Sequence, residues 1–161
     1  MTMMTGEQYK ESLRRLKTKL YFRGERITNV VDFPATRPHV NAAALTYDMA
    51  HDPQFEELLS TKSHLTGQRI NRFTHIHHST DDLIKKVKML RAVAQHTGSC
   101  FQRCVGHDAM NALYGVTYEM DQEKGTSYHQ RFVAYLKEVQ SKYLMPAGSM
   151  TDPKGDRSLA P

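Results

Sequence analysis

The sequence lacks any long apolar run. No stretch approaches the roughly 18 consecutive apolar residues that a transmembrane helix needs, and residues 1–8 lack the apolar middle of a secretory signal. We therefore expect a cytoplasmic protein without membrane segments. Repeats and low-complexity tracts are also missing. The 161 residues, 39% hydrophobic and 24% charged, are typical of one globular domain.

Neither sign of charge dominates the sequence. Lys and Arg number 22 and Asp and Glu number 17, which leaves a formal net charge of +5. Domains that bind nucleic acid usually cluster their basic residues on one face, together with aromatic or motif signals. Here basic and acidic residues are interleaved, so the surplus indicates solvated helical surfaces, and no nucleic-acid partner is expected.

Cysteine is scarce, and both cysteines stand close together. Cys100 and Cys104 are too few for a disulfide scaffold and are expected to be reduced. On a predicted helix their Cβ atoms would be roughly 5–6 Å apart, wider than the roughly 3.5–4.5 Å of a disulfide. Two interpretations remain open. Both residues could be small core side chains, or they could form half of a metal site, with Arg103 nearby to offset thiolate charge.

Histidine does not complete a zinc site on that predicted helix. His96 and His107 share its face, but eleven residues of continuous helix would separate them by about 16 Å, whereas zinc bonds measure about 2.0–2.3 Å. A cubane-type iron–sulfur cluster needs more ligands than two cysteines supply. The others would have to come from elsewhere. Surface or capping roles are predicted for His75, His77 and His78, which do not share one face.

Apolar periodicity predicts a mainly helical protein with little or no strand. Pro34 and Pro38 predict an extended connection over residues 25–40, because proline denies a helix its backbone donors. Residues 70–78 show no period and receive no assignment. The predicted helices span residues 5–20, begun by a capping box of Thr5 and Gln8, then residues 41–50, a short segment around residues 55–59, and the three ranges 79–94, 99–120 and 127–144.

The helix after Ser79 has the clearest pattern. Ser79 is a good N-cap, and Asp81 and Asp82 place negative charge at the positive end of the helix dipole. An apolar stripe is predicted to face the core, and on the last helix three tyrosines are predicted to be buried with their hydroxyls reaching water. These residues are Leu83, Ile84, Val87, Leu90 and Ala94 for the stripe, and Tyr128, Tyr135 and Tyr143 for the last helix.

Several segments carry a family resemblance. Residues 79–113, STDDLIKKVKMLRAVAQHTGSCFQRCVGHDAMNAL, and residues 150–161, MTDPKGDRSLAP, resemble the 4-hydroxybutyryl-CoA dehydratases within the 4-hydroxyphenylacetate 3-hydroxylase family of flavoproteins. SCFQRC and TDPKGDR are the most specific parts. The opening of the chain, residues 7–25, is similar to the N-terminal helix and turn of that family. The resemblance spans essentially all 161 residues.

The resemblance implies a fold and two cofactors. Residues 1–146 would form the N-terminal helical domain of an acyl-CoA dehydrogenase-like flavoprotein, and residues 147–161 a loop entering a middle β-domain that lies beyond Pro161. The family holds FAD and a 4Fe–4S cluster bound by three cysteines and one histidine, and Cys100 and Cys104 match the first two cysteines. The FAD segment would comprise Met150, Thr151, Asp152, Pro153, Lys154, Gly155, Asp156 and Arg157. Pro153 and Gly155 favour a tight turn there, and Lys154 and Arg157 could receive phosphate or flavin oxygens.

The same resemblance implies an activity. The complete enzyme would convert the acyl-CoA substrate 4-hydroxybutyryl-CoA to crotonyl-CoA by a flavin and iron–sulfur radical route, isomerise vinylacetyl-CoA, and form a homotetramer. Its catalytic residues are expected beyond Pro161, so this chain alone would be inactive. Two alternatives remain: a flavin-dependent 4-hydroxyphenylacetate 3-monooxygenase-like enzyme, which would not require the cysteine pair, and a non-catalytic helical module that docks on a partner.

Overall fold

The computed structural model describes residues 3–98, 100–101, 103–148, 155–156 and 158. Within these residues the chain is mainly helical, as predicted, and two short antiparallel hairpins join the helices. The elements in chain order are α1 (Gly6–Arg14), β1 (Leu20–Phe22), β2 (Glu25–Ile27), α2 (Arg37–Asp48), α3 (Glu56–Leu59), β3 (Ser60–Lys62), β4 (Arg69–Asn71), a 3₁₀ turn (Arg72–Thr74), α4 (Thr80–Thr97), α5 (Cys104–Lys124) and α6 (Tyr128–Ser141).

The first helix begins as predicted but ends early. The Thr5 hydroxyl accepts a hydrogen bond from the Gln8 backbone N–H, and the Gln8 side chain accepts one from the Thr5 N–H, so the predicted capping box is present. The helix ends at Arg14, whereas the sequence predicted residue 20. Leu20 instead pairs with Ile27 in the β1–β2 hairpin. Helical spacing continued past Arg14 in the sequence, but residues 16–19 form no regular structure and lead into the hairpin that begins at Leu20.

The second helix starts inside the predicted extended connection. α2 begins at Arg37, so Pro38 lies in its first turn, and between β2 and α2 the chain follows a series of turns where the sequence predicted an extended segment. The first backbone N–H groups of a helix have no acceptor within the helix, and proline therefore loses nothing there. The prediction that Pro38 excludes a helix was wrong for this positional reason.

Most of the unassigned segment is buried: residues 70–76 are buried, His77 is half-buried and His78 is exposed. Asn71 donates from its side chain to the Thr46 carbonyl oxygen and accepts from the Phe73 N–H. Arg72 donates to several backbone carbonyls of the α3–β3 region, with the shortest distance, 2.8 Å, to the carbonyl oxygen of Leu58. Hydrogen bonds from its side chains to distant backbone groups hold this segment in place. Because polar side chains make these bonds, the sequence shows no apolar periodicity here.

Three clusters of buried side chains hold the described elements together. One joins α2, α3, α4 and the 3₁₀ turn, a second joins α1 and α2, and a third lies between α5, α6 and the segment before α4. Their central members are Leu59, Phe73, Met89 and Val93 in the first, Tyr9, Val31 and Tyr47 in the second, and Ile76, Met110, Leu136 and Val139 in the third. Across the residues that the structure covers, no helix is both long and apolar enough to span a bilayer.

The predicted apolar faces of the later helices are only partly buried. α4 has the predicted Ser79 cap, which accepts from the Asp82 N–H, but its buried side chains are Met89 and Val93. The N-terminal part of the predicted apolar stripe is exposed to solvent, and Val87 there is 65% exposed. Leu83, Ile84, Tyr128 and Tyr135 are exposed as well. Periodicity identifies side chains that share a face, but it does not say whether another element covers that face.

Candidate functional site

The two cysteines do not share a helix. α4 ends at Thr97 and is capped by Gly98, whose φ of 59° is left-handed, and α5 begins at Cys104. Cys100 therefore lies in the connection and is exposed, while Cys104 opens α5 and is half-buried. Phe101 between them is buried and packs on Phe73 at 5.5 Å between ring centroids. The predicted helix over residues 99–120 was wrong at its start, and the cysteine spacing worked from it does not apply.

This arrangement separates the two interpretations of the cysteines. An exposed Cys100 is not a core side chain, so the core interpretation fails for that residue. His96 and His107 lie on different helices, so the distance argument drawn from one continuous helix fails as well. His96 is exposed, and its Nδ1 lies 2.8 Å from the Ala92 carbonyl oxygen of its own helix. Among the described residues, no group of three or more His, Cys, Asp or Glu could hold a metal ion.

His107 lies about one turn after Cys104 on α5 and is linked to His77. It is 0% exposed, and its Nδ1 donates to the Phe73 carbonyl oxygen at 2.9 Å. A carbonyl can only accept, so the proton of the neutral ring sits on Nδ1 and Nε2 is an acceptor. Nε2 lies 3.0 Å from Nε2 of His77, which must therefore be the donor. Burial lowers the pKa of His107 to about 4 and also lowers the pKa of His77.

His107 fixes the first turns of α5 on the chain that precedes α4, through its bonds to Phe73 in the 3₁₀ turn and to His77 after that turn. Asn111 supports the same contact, since its side chain accepts from the His77 N–H and donates to the carbonyls of His75 and His107. Both ring nitrogens of His107 are used in these bonds. His107 is therefore a structural neighbour of Cys104 and has no free nitrogen for a metal.

The other residues of the histidine run differ from one another. His75 is buried and donates from Nε2 to Asp82 at 3.1 Å, so the predicted surface role was wrong for it. Burial raises the pKa of Asp82, but hydrogen bonds from the His78 N–H and the Ser79 hydroxyl, with the attraction of His75, bring that pKa to about 2. His78 is exposed, in agreement with the predicted surface role, and its backbone N–H donates to the Asp82 carboxylate at 3.0 Å.

Arg103 is a buried cation directly before Cys104. It is 1% exposed, and its guanidinium lies between the rings of Tyr47 and Phe73, at 4.4 and 4.8 Å from their centroids. Nη1 donates to the Thr46 hydroxyl at 2.8 Å, and the buried Nε has no hydrogen-bond partner among the described residues. Within that same set, no Asp or Glu pairs with Arg103, and its electrostatic neighbours are tyrosines.

The segment after α6 passes against the first turn of α5. A Cβ at Gly106 would collide with the carbonyl oxygen of Pro146, and a Cβ at Gly148 would collide with the side chain of Val105. These two glycines permit a close backbone approach that a larger residue would prevent. The chain therefore passes beside the cysteine-bearing end of α5 immediately before the predicted FAD segment.

Only part of the predicted FAD segment can be described. Gly155 and Asp156 are exposed, and the Asp156 carboxylate accepts from the N–H and the hydroxyl of Ser158 at 2.9 and 2.7 Å. That is the hydrogen bonding of an Asx turn. The remaining residues predicted for FAD lie outside the described residues: Met150, Thr151, Asp152, Pro153, Lys154 and Arg157.

Residues 5–161 match the sequence family described as 4-hydroxyphenylacetate 3-hydroxylase N terminal. The chain belongs to this family. It is 58% identical over 159 residues to a 4-hydroxybutyryl-CoA dehydratase/vinylacetyl-CoA-Delta-isomerase from Clostridium aminobutyricum, a match covering 99% of this chain and 32% of that protein. It is 23% identical over 157 residues to the 4-hydroxyphenylacetate 3-monooxygenase oxygenase component of Thermus thermophilus, covering 98% of this chain and 32% of that one.

Solved structures of family members have the same fold. An oxygen-tolerant archaeal 4-hydroxybutyryl-CoA dehydratase from N. maritimus matches with a TM-score of 0.90 and 49% identity, over 99% of this chain and 31% of that one. An oxygenase component of 4-hydroxyphenylacetate 3-monooxygenase, complexed with FAD and 4-hydroxyphenylacetate, matches with a TM-score of 0.75 over 98% of this chain and 32% of that one. Its 23% identity shows the fold alone. These matches confirm the predicted N-terminal helical domain, and the chain spans about a third of the length of these relatives.

Proposed function

We propose that this chain is the N-terminal third of a 4-hydroxybutyryl-CoA dehydratase, an enzyme that converts 4-hydroxybutyryl-CoA to crotonyl-CoA and isomerises vinylacetyl-CoA. The observation that carries the proposal is the 58% identity that extends along 99% of the chain. The monooxygenase relative, at 23% identity, supports a shared fold and gives no comparable support for phenol hydroxylation.

In this proposal Cys100 and Cys104 are two ligands of a 4Fe–4S cluster, and the other ligands come from residues outside this chain. The residues present fit such a group. Cys104 begins a 21-residue helix, whose N-terminal end favours negative charge, and Cys100 is exposed beside it. Thiolate ligands are anionic, and Arg103, a buried cation, directly precedes Cys104 in the chain. When bound, the cluster would supply a Lewis acid for the leaving hydroxyl, and FAD would supply one-electron chemistry.

The proposal divides the chain into a helical domain, residues 1–146, and a loop, residues 147–161, that enters a β-domain and binds FAD through residues 150–157. Gly148 supports this division, because it passes against Val105 in the first turn of α5. The loop therefore leaves from the cysteine-bearing end of that helix. This position suits an enzyme in which flavin and cluster act on one substrate.

We further propose that the complete enzyme is a cytoplasmic homotetramer. The exposed apolar side chains of α4 and α5 support the presence of covering partners in the complete enzyme. They include Leu83, Ile84 and Val87 on α4 and Leu113 and Val116 on α5. Leu83, Ile84 and Val87 lie together on α4, and an exposed apolar patch often marks an interaction site.

A chimera tests the proposed function. This chain replaces the matching N-terminal part of the Clostridium aminobutyricum relative, and the protein is purified without oxygen. We expect bound FAD, the broad visible absorbance of an iron–sulfur cluster, and formation of crotonyl-CoA from 4-hydroxybutyryl-CoA. Cys100→Ser should remove the cluster absorbance and the activity while leaving the helical circular dichroism unchanged.

The unmodified Clostridium aminobutyricum protein is the control for this experiment. A folded chimera that binds FAD but has no cluster absorbance would refute the assignment of the cysteines. Retention of a full complement of iron by the Cys100→Ser variant would refute it equally. A chimera that folds and is loaded with both cofactors, yet does not turn over 4-hydroxybutyryl-CoA, would contradict the proposed activity.

A further inference from the structure

Phe73 in the 3₁₀ turn contacts the connection between α4 and α5 at two points. Its ring is 1% exposed, and the ring of Phe101 packs on it at 5.5 Å between centroids. The guanidinium of Arg103 lies 4.8 Å from the centroid of the same ring. Phe101 directly follows Cys100, and Arg103 directly precedes Cys104. One buried ring therefore contacts the chain neighbour of each cysteine.

Phe73 also contacts α5 beyond Cys104. Its carbonyl oxygen accepts a hydrogen bond from Nδ1 of His107 at 2.9 Å, and the two rings lie edge to face at 6.1 Å between centroids. His107 is fully buried, and its backbone N–H donates to the carbonyl oxygen of Arg103 across the first turn of α5. In the chain Cys104 lies between these two contacts with Phe73. Its backbone is thus restrained on both sides.

The two cysteines differ in their surroundings. Cys104 is half-buried and packs against the core cluster that contains Phe73 and Phe101. Cys100 is exposed, and neither it nor Phe101 belongs to a helix or strand. The backbone beside Cys100 is therefore outside any helical or strand ladder, and the packing of Phe101 on Phe73 restrains it.

We propose that Phe73 is a positioning residue that holds Cys100 and Cys104 in one arrangement before an iron–sulfur cluster binds. The inference rests on the proposed function, in which both thiolates are ligands of that cluster. A group bound by two thiolates requires them at set positions, and ordering a flexible connection during binding costs conformational entropy. A connection already packed on a buried ring avoids much of that cost.

The first test uses this chain without a cluster and measures the reaction of its thiols with an aromatic disulfide reagent in native buffer. We expect a fast phase from exposed Cys100 and a slow phase from half-buried Cys104, and Cys100→Ser should leave only the slow one. Phe73→Leu keeps an apolar side chain and removes the ring. It should speed the Cys104 phase about tenfold in the absence of urea, because the connection opens locally.

Val139→Ala is the matched control for this test. Val139 is fully buried on α6, in the third core cluster, whose buried members include neither Phe73 nor a cysteine. The variant should lower the urea midpoint of the chain while leaving the Cys104 phase within about twofold of the parent. Should Phe73→Leu not fold, Phe101→Leu removes the same ring contact from the other side.

The second test uses the chimera loaded with its cluster. Transfer of iron to a chelator without oxygen measures how firmly the cluster is held, and electron paramagnetic resonance of the reduced cluster reports the arrangement of its ligands. Phe73→Leu should release iron about tenfold faster and change the line shape, because the ligands lose their support. Val139→Ala should match the parent chimera in both measurements.

The outcomes separate this inference from the proposed function. Equal Cys104 rates in the parent chain and in Phe73→Leu refute the inference, and so does equal acceleration by Phe73→Leu and Val139→Ala, since thiol exposure would then follow global stability. If neither Phe73→Leu nor Phe101→Leu folds, this packing serves the whole fold and the inference is refuted. A parent chimera that folds without a cluster refutes the proposed function, whatever the thiol rates of the chain.

Discussion

Acid should destabilise this chain through its buried histidines. The pKa of His107 falls from 6.5 to about 4 on folding, and the pKa of His75 falls equally, in both cases chiefly because burial disfavours the charged ring. Between these two pH values the unfolded chain binds more protons than the folded chain. Acidification therefore favours unfolding. The stabilisation is complete above about pH 6.5 and is lost as the pH falls toward 4.

The magnitude follows from the pKa difference. A shift of about 2.5 units at about 1.4 kcal/mol per unit is about 3 kcal/mol for each histidine. Both residues are almost completely buried, so solvent screening reduces this figure little. While both are titrating, the free energy of unfolding should change by up to about 2.7 kcal/mol per pH unit, because two protons are taken up.

His107→Asn isolates one of these protons. Asparagine can still donate to the Phe73 carbonyl from the position of Nδ1, but it does not titrate and does not reach His77. We expect a loss of about 1–3 kcal/mol at pH 7, because the His77 donor loses its acceptor. The slope of unfolding free energy against pH between 6 and 4.5 should fall by about one proton. Urea titrations at a series of pH values measure both quantities.

Met110→Leu is the control for this experiment, since it changes a buried side chain on the same helix without changing any ionisable group. It should lower stability equally at every pH. If His107→Asn gives the same pH slope as the parent chain, the buried neutral histidine is not a source of the acid sensitivity. The reasoning from its hydrogen bonds would then be wrong.

Two further changes test the local structure around α5 and α4 by urea unfolding. Gly106→Ala should destabilise the chain by about 1–3 kcal/mol, because its Cβ meets the Pro146 carbonyl oxygen, whereas Gly115→Ala on the same helix meets nothing within 4 Å and should stabilise it by about 0.5–1 kcal/mol. Equal effects of the two alanines would contradict the close approach at Gly106. Ser79→Ala should cost about 1 kcal/mol, since the Asp82 N–H loses its acceptor, and an unchanged unfolding midpoint would show that this cap contributes nothing.

Neither the contact between His77 and His107 nor the burial of Arg103 could be predicted from the sequence. His77 and His107 are 30 residues apart, and no local pattern marks two histidines that share one hydrogen bond across a fold. The sequence did place Arg103 near the cysteines. Its burial between Tyr47 and Phe73 depends on two other segments of the chain. Gly106 carried no usable signal either, because Gly115 stands on the same helix and a Cβ there would meet nothing within 4 Å.

The sequence by itself determined the features that act over one turn of chain. The caps at Thr5 and Ser79 are present as predicted, because a side-chain oxygen reaches a backbone N–H three residues ahead whatever the rest of the protein does. The left-handed Gly98 acts over the same range, and it ends α4 before Cys100. The tertiary structure alone decided burial and pairing. Leu83 and Met89 belong to the same amphipathic helix, yet only Met89 meets the core, because burial depends on which distant segment packs against each face.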